Sequence, residues 1–298
     1  MKDVSIIIVN YNTCKLTQNC INSIFEKTND VSFEIIVVDN NSTDASLQEL
    51  AADSRIVFIE AHDNLGFGKA NNLGVKYAKG KYLLFLNSDT FLLNNALKHF
   101  VSFYETYSNV LHLGAIGCVL LDGNFRRTHS MGPFPTMTKL LKMEWGNLIM
   151  RRFGKQMKHH DDFYLKYSDK DYFSVDYVTG ADLFVSHEVI EKYGCFDSDF
   201  FLYYEETEMQ FRWKKSGLQS YIVCGPQIVH LEGASQKRSP KKQFVILRSM
   251  MLYCRKTYKK PEYLLFRVLF LLCRLISLPK QGYSLNEYKE YIRILLGK

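Results

Sequence analysis

The feature that most constrains this chain is an exchange, repeated through its first 110 residues, of short apolar runs with helically spaced segments. Val4–Val9, Glu34–Val38, Arg55–Glu60 and Tyr82–Leu86 read as strands. Between them, Thr13–Phe25 sets Leu16, Cys20, Ile21 and Ile24 at helical spacing. Asp44–Ala52 and Asn71–Ala78 read as further helices, and another, capped by Asn94, runs to Tyr107. Continuous apolar runs, as opposed to alternating ones, mark strands buried on both faces. The alternation predicts an α/β fold with a mainly parallel central sheet flanked by helices.

From Gly114 the pattern loosens. Ala115–Leu121 is strand-like, but the Gly-, Pro-, Met- and Lys-rich stretch to about Lys170 has no clear period. Val175–Phe184 and Gln219–Val229 return to strand composition around a helix at Glu205–Lys215. From Gln236 the chain is basic and helical. The expected organisation is a first lobe at 1–110, a second lobe of the same domain at 111–235, and a helical C-terminal extension at 236–298.

The net charge of +7 is concentrated towards the C-terminus. A localised basic excess fits an anionic surface or substrate and argues against a nucleic-acid binder. Seven cysteines with no Cys-x-x-Cys pair do not make a disulfide framework or a zinc ribbon, and they fit a reducing cytosol. The N-terminus places Asp3 before a short apolar run with no small-residue cleavage site after it, so it reads as a strand and not as a signal peptide.

Ligands of open α/β sheets bind beyond the carboxyl ends of the strands. Three predicted strands end in Asn10-Tyr11-Asn12, Asp39-Asn40-Asn41 and Asn87-Ser88-Asp89. Such residues are also common in turns, so each triplet alone is ordinary; three on one sheet edge point to a site. Asp89 is the sharpest of them. A carboxylate ending a buried run is costly unless it serves a turn or holds something positive. The glycine pattern of a dinucleotide site is missing: the loop after the first strand has no glycine, and Gly66-Phe67-Gly68 comes too late and lacks a third. A P-loop is absent as well. Further on, Glu205-Glu206-Thr207-Glu208 opens a helix, where the dipole favours acids; the cluster is equally suited to accept a proton.

These segments, in order, resemble the successive signatures of family 2 glycosyltransferases. The stretches that carry the resemblance are Val4–Asn12, Ile35–Asp44, Asn64–Gly74, Phe85–Thr90, Thr179-Gly180-Ala181, Gly194–Asp197, Phe200–Glu208 and Val229–Ser235, about residues 3 to 235 in all. The nearest likeness is to bacterial rhamnosyltransferase-like enzymes that build surface polysaccharides. The resemblance implies a Rossmann-like GT-A fold and an inverting transfer from a nucleoside-diphosphate sugar to a glycan or lipid-linked acceptor. It implies donor binding by the first lobe and acceptor binding by the second.

It also implies roles for individual residues. Asn87-Ser88-Asp89 stands where the family carries its Asp-x-Asp motif, with Asp89 as ligand of a divalent cation, Mn²⁺ or Mg²⁺. Asn87 departs from the motif and removes one negative charge. Hard oxygen ligands and bridged phosphates suit either ion. His230 matches a histidine that completes the metal site in this branch. Asp39 matches a carboxylate that meets the nucleotide, with a helix cap as the ordinary alternative. Tyr11 and Asn12 would line the same pocket, and Asn71 would either contact the donor or start a helix. Glu206 falls where the family places an aspartate base; the longer side chain leaves Glu205 as the other candidate.

Two rival readings stay open. A nucleotidyltransferase would want a glycine-rich basic loop after the first strand, which is missing. A catalytically impaired glycan-binding relative has Asn87 and Glu206 as its only hints. In the extension, Tyr263–Leu278 is overwhelmingly apolar but shorter than the ~20 residues of a spanning helix. It follows a basic stretch that includes Lys237, Arg238, Lys241, Lys242, Arg248, Arg255, Lys256, Lys259 and Lys260. Arg267 and Arg274, seven apart, fall on one helical face with the apolar bulk opposite. The expectation is a cytoplasmic protein whose extension lies on the inner face of the cell membrane; the alternatives are packing on the catalytic lobe or a homodimer contact.

Overall fold

A computed structural model describes residues 2–152, 170–231, 240–277 and 284–297. The twelve described strands are β1 (Lys2–Asn10), β2 (Phe33–Asp39), β3 (Val57–Glu60), β4 (Gly80–Asn87), β5 (Thr90–Leu92), β6 (Leu113–Cys118), β7 (Met131–Gly132), β8 (Tyr172–Val175), β9 (Tyr177–Val178), β10 (Asp182–Ser186), β11 (Gln219–Val223) and β12 (Ile228–His230). The helices are α1 (Cys14–Lys27), α2 (Ser46–Glu49), α3 (Phe67–Val75), α4 (Ala96–Tyr107), α5 (Met137–Arg152), α6 (His187–Tyr193), α7 (Glu205–Lys215), α8 (Pro240–Thr257), α9 (Lys260–Ser277) and α10 (Leu285–Leu296).

Eight strands form one sheet in the order β3-β2-β1-β4-β10-β6-β11-β8. β3, β2, β1 and β4 are mutually parallel, as are β6 and β11. β10 runs antiparallel between β4 and β6, and β8 runs antiparallel at the edge. The sheet is therefore mainly parallel, as the alternation predicts. Its central strands are buried on both faces: Ile6, Ile8, Val37, Leu84 and Leu86 join the main apolar cluster with Ile21 and Phe100 from α1 and α4. The intervening Ile7, Val38 and Phe85 are buried too, and Gly74 of α3 lies against Ile7 and Val38.

Two expected strands divide. Val175–Phe184 becomes β8, β9 and the start of β10, because the chain turns at Asp176 and again at Thr179–Ala181. β9 leaves the main sheet to pair with β7. Gln219–Val229 splits into β11 and β12, and β12 pairs with β5. The third helix begins at Phe67, before Asn71, because Gly68 is taken into its first turn.

The chain forms two compact units, 1–133 with 170–237, and 134–169 with 238–298. The first holds all the strands, α1–α4, α6 and α7. The second holds α5 and α8–α10. Within it, Arg274 donates to the buried Glu144 of α5 at 2.6 Å, and Arg267 Nε donates to the Leu295 carbonyl at the end of α10 at 2.9 Å. Their spacing of seven sets both arginines on one face of α9, and on that face both are engaged within the unit. Lys237 and Arg238 lie outside the described residues, as does the end of the Val229–Ser235 segment after Leu231.

Candidate active site

Parallel strands carry their polar ends to one edge, and β1, β2 and β4 do so side by side. Asn10, the last residue of β1, is fully buried. Its amide donates to Asp39 Oδ1 at 2.6 Å and to Ser42 Oγ at 3.0 Å. Its Oδ1 accepts from Thr13 and Thr17 at 2.9 and 2.7 Å. Asp39, 2% exposed, also accepts from the Ser42 amide through Oδ2 at 3.0 Å. Both its oxygens are thus engaged, Oδ1 in joining the β1 and β2 ends and Oδ2 in closing the turn after β2. Asn12 sits at φ 55° and accepts from the Thr43 amide at 2.7 Å, while Tyr11 is 44% exposed beside it. Thr13 Oγ1 also lies 3.0 Å from Ser88 Oγ, within hydrogen-bonding distance, linking β1 to the β4 end.

Asp89 follows β4 in a tight turn. The Thr90 hydroxyl donates to the Asn87 carbonyl at 2.7 Å, and β5 then pairs with β12. That pairing brings His230 across from Thr90. His230 Nε2 lies 3.2 Å from Asp89 Oδ1 and 3.2 Å from the Asn87 amide nitrogen. The structure therefore gathers Asn87, Asp89 and His230 from positions about 140 residues apart into one group. Among the described residues no group of three or more His, Cys, Asp or Glu side chains could hold a metal ion. Asp89 and His230 are two such donors, and Asn87 offers an amide oxygen after rotation. Few protein ligands suit an ion whose remaining positions are filled by substrate phosphates and water, so the residues present fit a divalent cation bound with its donor.

The second carboxylate group begins α7. Tyr203 and Tyr204 both take left-handed φ, 71° and 69°, a conformation costly for bulky residues and concentrated at functional sites. They turn the chain so that Glu205 goes inward. It is 2% exposed and its Oε2 has no hydrogen-bond partner. Burial first, and then the charge of Glu206, holds its carboxyl well above the usual range. Glu206 is half-buried. Burial pushes it up to about 7, against the pull of the Glu206 and Thr207 amides at the helix N-terminus. Glu208, the third acid, is structural and accepts from Arg212 Nε through both oxygens at 2.9 and 3.0 Å.

Glycines set this pair against the sheet edge. Gly66 has φ 78°, and a Cβ there would fall 2.0 Å from the Phe201 carbonyl, which accepts from the Phe67 amide at 2.8 Å. A Cβ on Gly68 would lie 3.6 Å from Glu205 Cβ, and one on Gly180 3.8 Å from Glu206 Cβ. The carbonyl of the next residue, Ala181, accepts from the Asn87 amide at 3.0 Å. Residues 180 and 181 thus join the acid pair to the β4 end. Asn71 is buried inside α3 and donates to the Phe67 carbonyl at 3.0 Å; it neither starts the helix nor faces the edge openly.

Asp182 is a buried carboxylate that the sequence reading passes over. It is fully buried, accepts from the Cys118 amide at 2.6 Å, and has an unpartnered Oδ1. Burial raises it to about 6. The available signal is a lone acid at the head of an otherwise apolar strand, Asp182-Leu-Phe-Val.

Comparison with known proteins identifies the family and the fold. Residues 5–171 match the model of glycosyl transferase family 2. The low-salt glycan biosynthesis hexosyltransferase Agl10 of Haloferax volcanii is 26% identical over 242 residues, 80% of this chain and 70% of its own. The O-antigen biosynthesis protein RfbC of Myxococcus xanthus is 28% identical over 242 residues, 78% of this chain but only 18% of RfbC. Among solved structures, the mannosyltransferase PcManGT from Pyrobaculum calidifontis, in complex with GDP-Man and Mn²⁺, superposes with a TM-score of 0.57 at 16% identity, covering 97% of this chain and 80% of its own. GalNAc-T7 with UDP, GalNAc and Mn²⁺ gives 0.60 at 16% identity, over 88% of this chain and 51% of its own. With its mainly parallel sheet, its flanking helices and a family match over more than half its length, this chain has the GT-A fold and belongs to glycosyl transferase family 2.

Proposed function

We propose that this chain transfers a sugar from a nucleoside-diphosphate sugar to a hydroxyl of a glycan or lipid-linked acceptor, with inversion at the anomeric carbon, in the assembly of a bacterial surface polysaccharide. The observation that carries the reading is a carboxyl raised to about 7, Glu206, joined through residues 180 and 181 to a strand end bearing the Asp89–His230 pair. A general base works best with a pKa near the operating pH.

In this reading the Glu206 carboxylate takes the proton of the acceptor hydroxyl. The freed oxygen attacks the anomeric carbon from the face opposite the diphosphate. The bond from that carbon to the phosphate oxygen breaks, and its electron pair leaves with the nucleoside diphosphate. Asp89 and His230, with Asn87, would hold Mn²⁺ or Mg²⁺, which supplies positive charge against the departing diphosphate. Tyr11, Asn12, Ser88 and the loop braced by Asp39 would border the nucleotide, and Asn71 would support the α3 side of that pocket. The unpaired thiols of all seven cysteines agree with a cytoplasmic setting.

The test is the stereochemistry of the product. Incubation with Mn²⁺, a panel of α-linked nucleotide sugars and soluble acceptor glycans should yield a β-linked product by proton NMR. An α-linked product would rule out the inverting assignment.

A further inference from the structure

The second unit exposes a face that its own helices do not cover. Along α9, Leu264, Leu265, Val268, Leu269, Leu272 and Ile276 are 48, 62, 55, 39, 54 and 62% exposed. Their spacing places them on one side of the helix. On the other side Phe266, Phe270 and Cys273 are buried at 1, 0 and 2% exposure. Charge is absent from the exposed stripe, since Arg267 and Arg274 are taken up by the Leu295 carbonyl and Glu144. Scattered exposed leucines are ordinary, but a contiguous apolar patch of this kind marks an interaction surface.

We propose that this face of α9 seats the protein on an anionic lipid surface. Three observations favour that occupant. First, residues 240–277 carry nine Lys or Arg and a single acid, Glu262; Arg248, Arg267 and Arg274 are engaged with Glu290, the Leu295 carbonyl and Glu144, but Arg255, Lys259 and Lys260 are exposed as the chain enters α9. Anionic headgroups complement such a segment. Second, the stripe spans about 18 Å of helix, and no described helix is long and apolar enough to cross a membrane. An apolar stripe of that length, flanked by cations, belongs to a helix lying in the interface plane. Third, a stable dimer interface takes about 20–30 residues from each partner, several times what this face offers. None of the three depends on the glycosyl-transfer reading; a lipid-linked acceptor would give the seat its use.

The test uses the full-length protein and two kinds of vesicle, phosphatidylcholine alone and phosphatidylcholine with phosphatidylglycerol. Wild type should float with the anionic vesicles at low salt, float much less at high salt, and stay down with neutral ones. The double variant Leu265→Glu/Leu272→Glu should lose flotation at least tenfold while its circular dichroism and nucleotide-sugar binding stay unchanged. Lys259→Glu/Lys260→Glu should weaken anionic flotation while keeping the fold. Three outcomes would overturn the proposal: wild type that does not float with anionic vesicles, a leucine double variant that floats like wild type, or an oligomeric wild type that the leucine double variant turns into monomers. The last would assign the face to a second copy. Nucleotide-sugar binding, measured on the same samples, reports on the glycosyl-transfer reading separately.

Discussion

Two adjacent glutamates at the start of α7 are set apart by environment alone. Glu205 is deeper and is held further from ionisation, whereas Glu206 is half-buried and raised to about 7. Glu206→Gln should bind donor normally and lose transfer by roughly 10²–10⁴-fold. Near-normal turnover in that variant, beside an inactive Glu205→Gln, would move the base to Glu205. For wild type, kcat/KM should rise with pH through about 7, as Glu206 ionises. The effect on stability has the opposite sense. Folding raises this carboxyl from 4.5, so the native state binds more protons than the unfolded chain between 4.5 and about 7. Its contribution is fully present below 4.5 and is lost as the pH rises through about 7. Glu206→Gln should therefore gain Tm over wild type as the buffer moves from about pH 4 to about pH 8; a pH-independent difference would contradict the raised carboxyl. The two glutamates are legible in the sequence as a cluster. The two tyrosines before them are not legible as left-handed residues, because nothing in a bulky aromatic favours that backbone.

Elements take their places from partners far away in the chain. Gly66 illustrates this. Its local sequence resembles a loop, yet its role is fixed by the Phe201 carbonyl, which a Cβ would meet at 2.0 Å. Gly66→Ala must displace that carbonyl or leave the left-handed region. A loss of about 2 kcal/mol or more is expected, read as a lower denaturant midpoint with an unchanged m-value; an unshifted midpoint would contradict the packing. Arg274 is the counterpart in the second unit. Arg274→Ala would leave Glu144, 8% exposed at its side chain, without this guanidinium. The cost expected is about 3 kcal/mol, measured by thermal unfolding, and Tm equal to wild type would show the pair to be idle. Periodicity places Arg267 and Arg274 on one face but cannot tell which face is covered, since Glu144 is 130 residues away. In the same way, the apolar run Val175–Phe184 does not disclose that its parts join different sheets.

For the whole molecule, β1, β2 and β4 are legible because their apolar runs are buried on both faces and leave no other place for them, while β3, partly exposed at the sheet edge, is legible from its composition and its place in the alternation. Their polar ends are legible for the same reason: a parallel sheet must carry them to one edge. The convergence of Asp89 with His230 is not readable from spacing, since it depends on β5 and β12 pairing outside the main sheet; it enters the sequence reading only through the family resemblance. On that convergence the proposed chemistry turns, because it ties the sheet edge to a cation and the cation to a nucleotide sugar. Calorimetric titration of UDP-, dTDP- and GDP-sugars, with and without Mn²⁺, into wild type and Asp89→Ala probes it at first hand. At least one donor should bind wild type only when Mn²⁺ is present, and Asp89→Ala, with an unchanged circular dichroism spectrum, should bind none. Donor binding by Asp89→Ala equal to wild type, or by wild type equally well without the metal, would contradict the cation site.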